Sequence, residues 1–327
     1  MERIIYDTKY SKIEIVSEID GLIEIIKPYI YSYGSLRYKN NDDCNIDAKI
    51  YIFKRDLNSN KELIINKEMH EIGVNVNDLE LESQLFIKRL LINLNNRILE
   101  NKGMIFLHAS SVCYENSGII FIGDRGNGKT TNMLYMLENE NTMYVSNDRT
   151  GLIVDENSKR VMMVGVPSRV NVRPGTIENN KMLKGKLLSI LDNKEYEKKL
   201  KYRRQVDSME SRMIISIQEL KEKLGIKERA CCELKSIIVL EYNPEVEFQM
   251  EELTEEEIIT ILEKQRIDGV FSGTKEIENV INVQKRRIQD ILKKQNIVFL
   301  RVTQNCNNSK RILRYLYERK DELNNER

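Results

Sequence analysis

Apolar residues in the first hundred positions fall mostly into short runs: Ile13-Glu-Ile-Val, Lys49-Ile-Tyr-Ile-Phe and Glu62-Leu-Ile-Ile. Runs of this length, separated by turn-rich stretches such as Lys39-Asn-Asn-Asp-Asp, predict strands. From Asp78 the period changes. Leu81, Leu85, Leu90, Leu91, Leu94 and Ile98 recur at helical spacing, with Asp78 or Asn77 as N-cap and Gly103 just past the end. Residues 1–100 are therefore expected to form a small accessory α+β domain, its last helix leading into a second domain over 101–327.

That second stretch opens with two apolar strands, Met104-Ile-Phe-Leu-His-Ala and Gly118-Ile-Ile-Phe-Ile, either side of a tight turn at Tyr114-Glu-Asn-Ser. A helix is expected from Asn132 to Glu138 and a strand at Met143-Tyr-Val-Ser. Gly151-Leu-Ile-Val and Arg160-Val-Met-Met-Val-Gly-Val predict a hairpin across Asp155-Glu-Asn-Ser. Residues 176–230 are highly charged and read as helical or partly mobile. Strand character returns at Ser236–Leu240 and Ile297–Leu300. A capping box at Thr254-Glu-Glu-Glu opens one helix, and another closes the chain from Ser309. The fold class is α/β, without internal repeats.

Composition narrows the function classes. Lys and Arg total 52 against 51 Asp and Glu over 327 residues, a formal net charge of +1, so no global field points to nucleic acid or a membrane surface. A 41% hydrophobic share argues against wholesale disorder, and no apolar run approaches the roughly 18–20 residues that cross a bilayer. The first residues, Met1-Glu-Arg-Ile-Ile-Tyr-Asp, carry charge where a signal peptide places its apolar stretch, so a cytoplasmic location is expected. Cys44, Cys113, Cys231, Cys232 and Cys306 are odd in number and scattered, which reads as reduced thiols rather than a disulfide framework or metal site. Two basic clusters, Lys198-Lys-Leu-Lys-Tyr-Arg-Arg and Lys285-Arg-Arg, read as solvated faces, although the first could attract an acidic peptide segment.

The chemistry concentrates after the second apolar strand. Gly123-Asp124-Arg125-Gly126-Asn127-Gly128-Lys129-Thr130-Thr131 contains the full Walker A spacing, G-x-x-x-x-G-K-T. Three of the chain's fifteen glycines lie between 123 and 128. Backbone N–H groups must turn inward around phosphate oxygens, and glycines allow those conformations without a side-chain clash. The following helix then points its N-terminus at the same anion. In this pattern Lys129 reaches the β- and γ-phosphates and the Thr130 hydroxyl ligates Mg²⁺. Which base is bound is a separate question. The Asn-Lys-x-Asp signature of GTPases is missing its aspartate at both approximations, Asn193-Lys-Glu-Tyr and Thr274-Lys-Glu-Ile, and no ABC-type Leu-Ser-Gly-Gly signature occurs. ATP is the expected nucleotide.

The surrounding order is more specific. Leu107-His108-Ala109-Ser110-Ser111-Val112 lies one hairpin before the loop, and Tyr144-Val-Ser-Asn147-Asp148 one helix after it. In this order the chain resembles the HPr kinase/phosphorylase family, especially its shorter relatives among peptide-modifying enzymes, the lasso-peptide kinases. The resemblance covers about residues 103–177 firmly and the remainder more loosely. It implies a P-loop core related to HPr kinase and phosphoenolpyruvate carboxykinase, and ATP- and Mg²⁺-dependent phosphorylation of a serine hydroxyl on a peptide or small protein. By position it implies that His108 lies near the transferred phosphate, that Lys129 and Thr130 take the Walker roles, and that the family's paired acids fall on Asn147 and Asp148. Thr130 and Asp148 would then be the metal ligands.

One member of that pair departs, because an amide at Asn147 cannot take a proton. Asp148, supported by His108, can serve as base or metal ligand. Alternatively, transfer through a loose transition state needs little base catalysis, or the chain binds nucleotide without efficient transfer. Arg125 lies within the loop. Arg169 and Arg173, near Pro174-Gly175, either reach the transferred phosphate or form structural ion pairs. The leading expectation is a serine kinase acting on a peptide or small protein, with homo-oligomerisation compatible. The alternatives are a nucleotide-binding regulatory or assembly protein and a kinase of a small molecule such as an amino acid or sugar.

Overall fold

The computed structural model describes all residues except 28–33, 41–42, 55–62, 67–70, 77–80, 167–168, 180–183, 186–212, 268–274, 295, 307 and 326–327. The N-cap candidates Asn77 and Asp78, and the basic run that begins at Lys198, lie outside the described residues. Two compact units emerge: residues 1–104 with 268–283, and residues 105–267 with 284–327.

In the first unit, β1 (Glu2–Asp7) turns through Thr8–Ser11 into β2 (Lys12–Ser17). The turn is closed locally: the Ser11 N–H donates to Thr8 Oγ1 at 2.8 Å. After α1 (Leu22–Ile26) come β3 (Ser35–Tyr38), β4 (Ala48–Lys54), β5 (Leu63–Asn66) and β6 (Glu71–Val76), giving the sheet order β3-β1-β2-β4-β6-β5. Strands β2, β4 and β6 are parallel and the others antiparallel. Ile13 and Ile15 alternate into a core shared with Ile50, Ile52, Val74 and Val76. α2 (Leu81–Asn101) contributes Ile87, Leu91, Leu94 and Ile98 to the same core, the stripe that its sequence period predicts. The three expected strands are present as β2, β4 and β5. β1, β3 and β6 add to them; in β6 the alternation Glu71-Ile-Gly-Val-Asn-Val, with Ile72, Val74 and Val76 buried, is itself a strand pattern.

The second unit is built on a nine-stranded sheet: β7 (Ile105–Leu107), β8 (Ser110–Tyr114), β9 (Ser117–Ile122), β10 (Thr142–Ser146), β11 (Thr150–Val154), β12 (Val161–Gly165), β15 (Cys231–Tyr242), β16 (Phe248–Glu252) and β17 (Val298–Gln304). β13 (Val170–Val172) and β14 (Met213–Ile215) pair separately. β9, β15 and β17 run parallel, and the runs Ile119–Ile122 of β9 and Ile237–Leu240 of β15 are unbroken, apolar and buried, as in strands covered on both faces. The helices are α3 (Lys129–Met136), α4 (Pro174–Asn179), α5 (Ile217–Leu224), α6 (Glu255–Lys264), α7 (Lys275–Leu292, divided between the two units) and α8 (Ser309–Asn325). The expected capping box at Thr254 is present. Its Oγ1 accepts from the Glu257 N–H at 3.3 Å, and the Glu257 carboxylate accepts from the Thr254 N–H at 2.9 Å.

Both expected hairpins form: β8–β9 turns at Glu115 and Asn116, each with positive φ, and β11 pairs with β12. One expectation is corrected. The strand read as Met104–Ala109 stops at Leu107, because β7 pairs with β11 whereas β8 pairs with β9 and β10. His108 and Ala109 are the step between these two partnerships. The Lys285-Arg-Arg run lies on α7, where Lys285 pairs with Glu263 and Arg287 with Glu156, the latter at 2.8 Å. It is an ion-paired surface, as a charge run on a helix usually is. No helix among the described residues is long and apolar enough to cross a membrane.

Candidate active site

β9 delivers the glycine loop. At its end Gly123 takes φ 142°, and a Cβ there would run into the carbonyl oxygen of Leu240 on neighbouring β15. The close approach, more than the turn, demands glycine. Asn127 fastens the other side of the loop by donating from Nδ2 to that same Leu240 carbonyl at 2.8 Å. Gly128 (φ 89°) then opens α3, the conformation that starts the helix directly from the loop. Gly123→Ala is expected to destabilise the fold by about 3 kcal/mol, from backbone strain and overpacking together. The urea midpoint of unfolding reads this, and an unchanged midpoint would contradict the packing described.

Lys129, the first residue of α3, is buried and folds back over the loop: its Nζ donates to the carbonyls of Gly123 at 2.7 Å and Asp124 at 3.2 Å. Burial lowers its pKa, and Arg173 adds to that, while Asp148 and Asp124 pull it upward. Thr130 donates its hydroxyl to Asn147 Oδ1 at 2.9 Å, and that same oxygen accepts from Ser110 Oγ at 2.9 Å. Asn147 is fully buried. It stands behind Thr130 and does not line the cavity that Thr130 faces. Thr131 bonds to Thr176 of α4 at 2.9 Å.

Asp148 follows Asn147 with φ 63°, a conformation uncommon for a residue with a Cβ but tolerated by Asp and Asn. It turns the carboxylate away from the end of β10 and into a cavity of about 310 Å³, lined also by His108, Arg125, Lys129, Thr130, Asn171 and Arg173. Asn171 Nδ2 donates to Asp148 Oδ2 at 3.2 Å. His108 is half-buried where β7 ends; its backbone N–H donates to the Gln265 carbonyl at 2.8 Å. Burial and then Lys129 hold the imidazole below its ordinary pKa, with Asp148 opposing them. The folded state thus disfavours imidazolium. The unfolded chain takes up that proton first, so this contribution to stability is present above about pH 6.5 and is lost as the pH falls below it. His108→Gln is expected to flatten the stability-against-pH curve just below pH 6.5, measured by urea unfolding at a series of pH values.

Of the residues singled out from the sequence, His108, Arg125, Gly126, Gly128, Lys129, Thr130, Thr131 and Asp148 line one cavity. Gly123, Asp124 and Asn127 shape the loop from behind through the contacts given above. Arg173 lines the cavity, whereas Arg169 is exposed and is not among its lining residues. Asn171 and Thr176 were not anticipated. The alternation Val170-Asn171-Val172, with both valines buried, was the available signal: it turns Asn171 to the opposite face of β13.

No family model matches the chain, and no curated protein matches it. Among solved structures it is similar to the Hpr(Ser) kinase/phosphatase from Coxiella burnetii, at 12% sequence identity over 68% of this chain and 99% of that one, with a TM-score of 0.32. That likeness is loose.

The cavity combines a helix N-terminus, a buried ammonium, two arginines, a hydroxyl held by an amide and one carboxylate among its described lining residues. Such a set can bind a polyanion and place a proton acceptor beside it. It also suits a small hard cation. With its proton committed to Asn147, Thr130 Oγ1 presents lone pairs outward, and Asp148 supplies anionic oxygen. Mg²⁺ typically takes only one or two protein carboxylates, the rest of its shell being water and phosphate oxygen, so the residues present fit it.

Proposed function

We propose that the protein is an ATP- and Mg²⁺-dependent phosphotransferase that moves the γ-phosphoryl group to a hydroxyl, that of a serine on a peptide or small protein. The observation that carries this reading is the convergence of Lys129, Thr130, Asp148 and His108 on one cavity beside the glycine loop. The loop residues Gly123, Asp124, Arg125, Gly126, Asn127, Gly128 and Thr131 embrace the phosphate chain. Lys129 leaves the Gly123 and Asp124 carbonyls and spends its charge on the β- and γ-phosphates. Thr130, steadied by Asn147, and one oxygen of Asp148 would hold Mg²⁺, which would neutralise charge on the phosphate oxygens.

The acceptor hydroxyl attacks the γ-phosphorus as the bond to the β–γ bridging oxygen breaks, leaving ADP. Its proton passes to the Asp148 carboxylate, which Asn171 orients. Neutral His108 hydrogen-bonds the incoming hydroxyl. The order of the Leu-His-Ala-Ser, glycine-loop and Asn-Asp segments supports serine in a peptide as acceptor. A second reading, a nucleotide-binding regulatory protein without transfer, is favoured by the buried amide of Asn147 in place of a carboxylate.

Incubation with γ-labelled ATP, Mg²⁺ and candidate peptides separates the two. Label on an acceptor serine supports transfer. ATP-induced thermal stabilisation with no labelled product supports the regulatory reading.

A further inference from the structure

The glycine loop has a second open side. There a cavity of about 490 Å³ shares Gly126, Gly128, Thr131 and Thr176 with the first, so one extended ligand can occupy both by crossing the loop. Its position follows from topology. β9, β15 and β17 are parallel, and their carboxyl ends share one edge, where open α/β sheets bind ligands. Tyr242 ends β15, Gln304 ends β17, and the two are register partners.

The lining chemistry changes from one cavity to the next. The first carries Lys129, Arg125, Arg173 and Asp148. Among the described lining residues of the second there is no Lys, Arg, His, Asp or Glu; Tyr135, Tyr242, Gln304, Asn305 and Cys306 form its far wall. Tyr242 is 59% exposed, a large aromatic left open at a strand end beside a cavity. Gln304 is buried, its Oε1 accepting from the Asn308 N–H at 3.1 Å, so its carboxamide is held in place. A phosphate finds little to bind in such a space. A flat heterocycle finds a stacking surface and amide groups.

We infer that this second cavity holds the nucleoside of the nucleotide, with the base stacked on Tyr242 and its edge read by the carboxamides of Gln304 and Asn305. The inference rests on the nucleotide reading above. It also carries a base preference. Guanine offers adjacent N1–H and N2–H donors that a carboxylate satisfies best, and none lines the cavity among the described residues, whereas the donor–acceptor edge of adenine matches a carboxamide.

Exposed Cys306 sits in this cavity and exposed Cys44 lies in the other unit, so the protein carries a reporter and an internal reference. N-ethylmaleimide labelling of both, followed by mass spectrometry, is compared with no ligand, Mg²⁺–ATP, Mg²⁺–GTP and Mg²⁺–tripolyphosphate, with thermal melts alongside. ATP is expected to slow labelling of Cys306 at least several-fold and to leave Cys44 unchanged. Tripolyphosphate should raise the melting temperature without protecting Cys306, and GTP should protect less than ATP. Tyr242→Ala is expected to weaken ATP binding roughly tenfold, the scale of one base–aromatic stack, leaving tripolyphosphate binding unchanged; Tyr242→Phe should bind like the parent. Stabilisation by ATP without protection of Cys306, or equal protection by tripolyphosphate, would overturn the placement while leaving nucleotide binding intact. If ATP neither stabilises nor protects, the nucleotide reading fails and this inference falls with it.

Discussion

Lys129→Ala is expected to lower phosphoryl transfer by roughly 10³-fold, the scale of losing one pre-placed charge at a transferring group, without unfolding the protein. The two halves of that result have separate causes. In the free protein the Lys129 ammonium is buried and its pKa is lowered by that burial, so the folded state holds the charge at a cost. Its hydrogen bonds to the Gly123 and Asp124 carbonyls offset only part of this. Removing the side chain relieves the burial while taking away the group that meets the phosphates. Thermal melts of the variant should match or exceed the parent, and labelled-ATP assays should show the loss. Full transfer activity would reject the role given to Lys129.

The second large effect belongs to Asp148→Asn, expected to cost 10²- to 10⁴-fold in transfer, the range of a lost general base. This change isolates chemistry from architecture. Asparagine is nearly isosteric and accepts the φ of 63° as readily as aspartate, and its carboxamide oxygen can still accept from Asn171 Nδ2. What disappears is the ability to take a proton, the anionic oxygen offered to Mg²⁺, and the negative charge facing Lys129 and His108. Because Asp148 raises the pKa of both neighbours, each should titrate lower in the variant. NMR titration of His108 reports that shift independently of activity. Near-parental transfer together with the lowered His108 titration would mean that the loose transition state needs neither a base nor an anionic metal ligand at this position.

Asn147 illustrates what a motif alone leaves open. At the level of sequence it stands where the pattern that the chain resembles carries an acid, and the departure reads as altered catalysis or as lost catalysis. In the fold its Oδ1 accepts two hydroxyl protons, from Ser110 and Thr130, in a fully buried position. An amide oxygen does this without the cost of burying a charge. Its contacts run to Thr130 and Ser110, behind the cavity, so in the proposed reaction the acceptor's proton would pass to Asp148.

The elements legible in the sequence are those whose causes are local. The glycine loop, the apolar strand before it, the capping box at Thr254, the Glu115–Asn116 turn and the apolar stripe of α2 all depend on residues within a few positions of one another. Their steric and hydrogen-bonding logic needs no partner element. Tertiary structure decided everything that depends on which strand lies beside which. The break at His108 exists because β7 and β8 choose different neighbours. Gly123 is required because Leu240, more than a hundred residues away, approaches it. Arg173 rather than Arg169 reaches the cavity, and Tyr242 meets Gln304 only through the parallel pairing of β15 with β17. The chain by itself specified a glycine loop with Walker A spacing running into a helix, since local backbone conformation suffices for that. The walls of the two cavities that flank it are assembled from distant segments by burial of the central sheet, which no local pattern encodes.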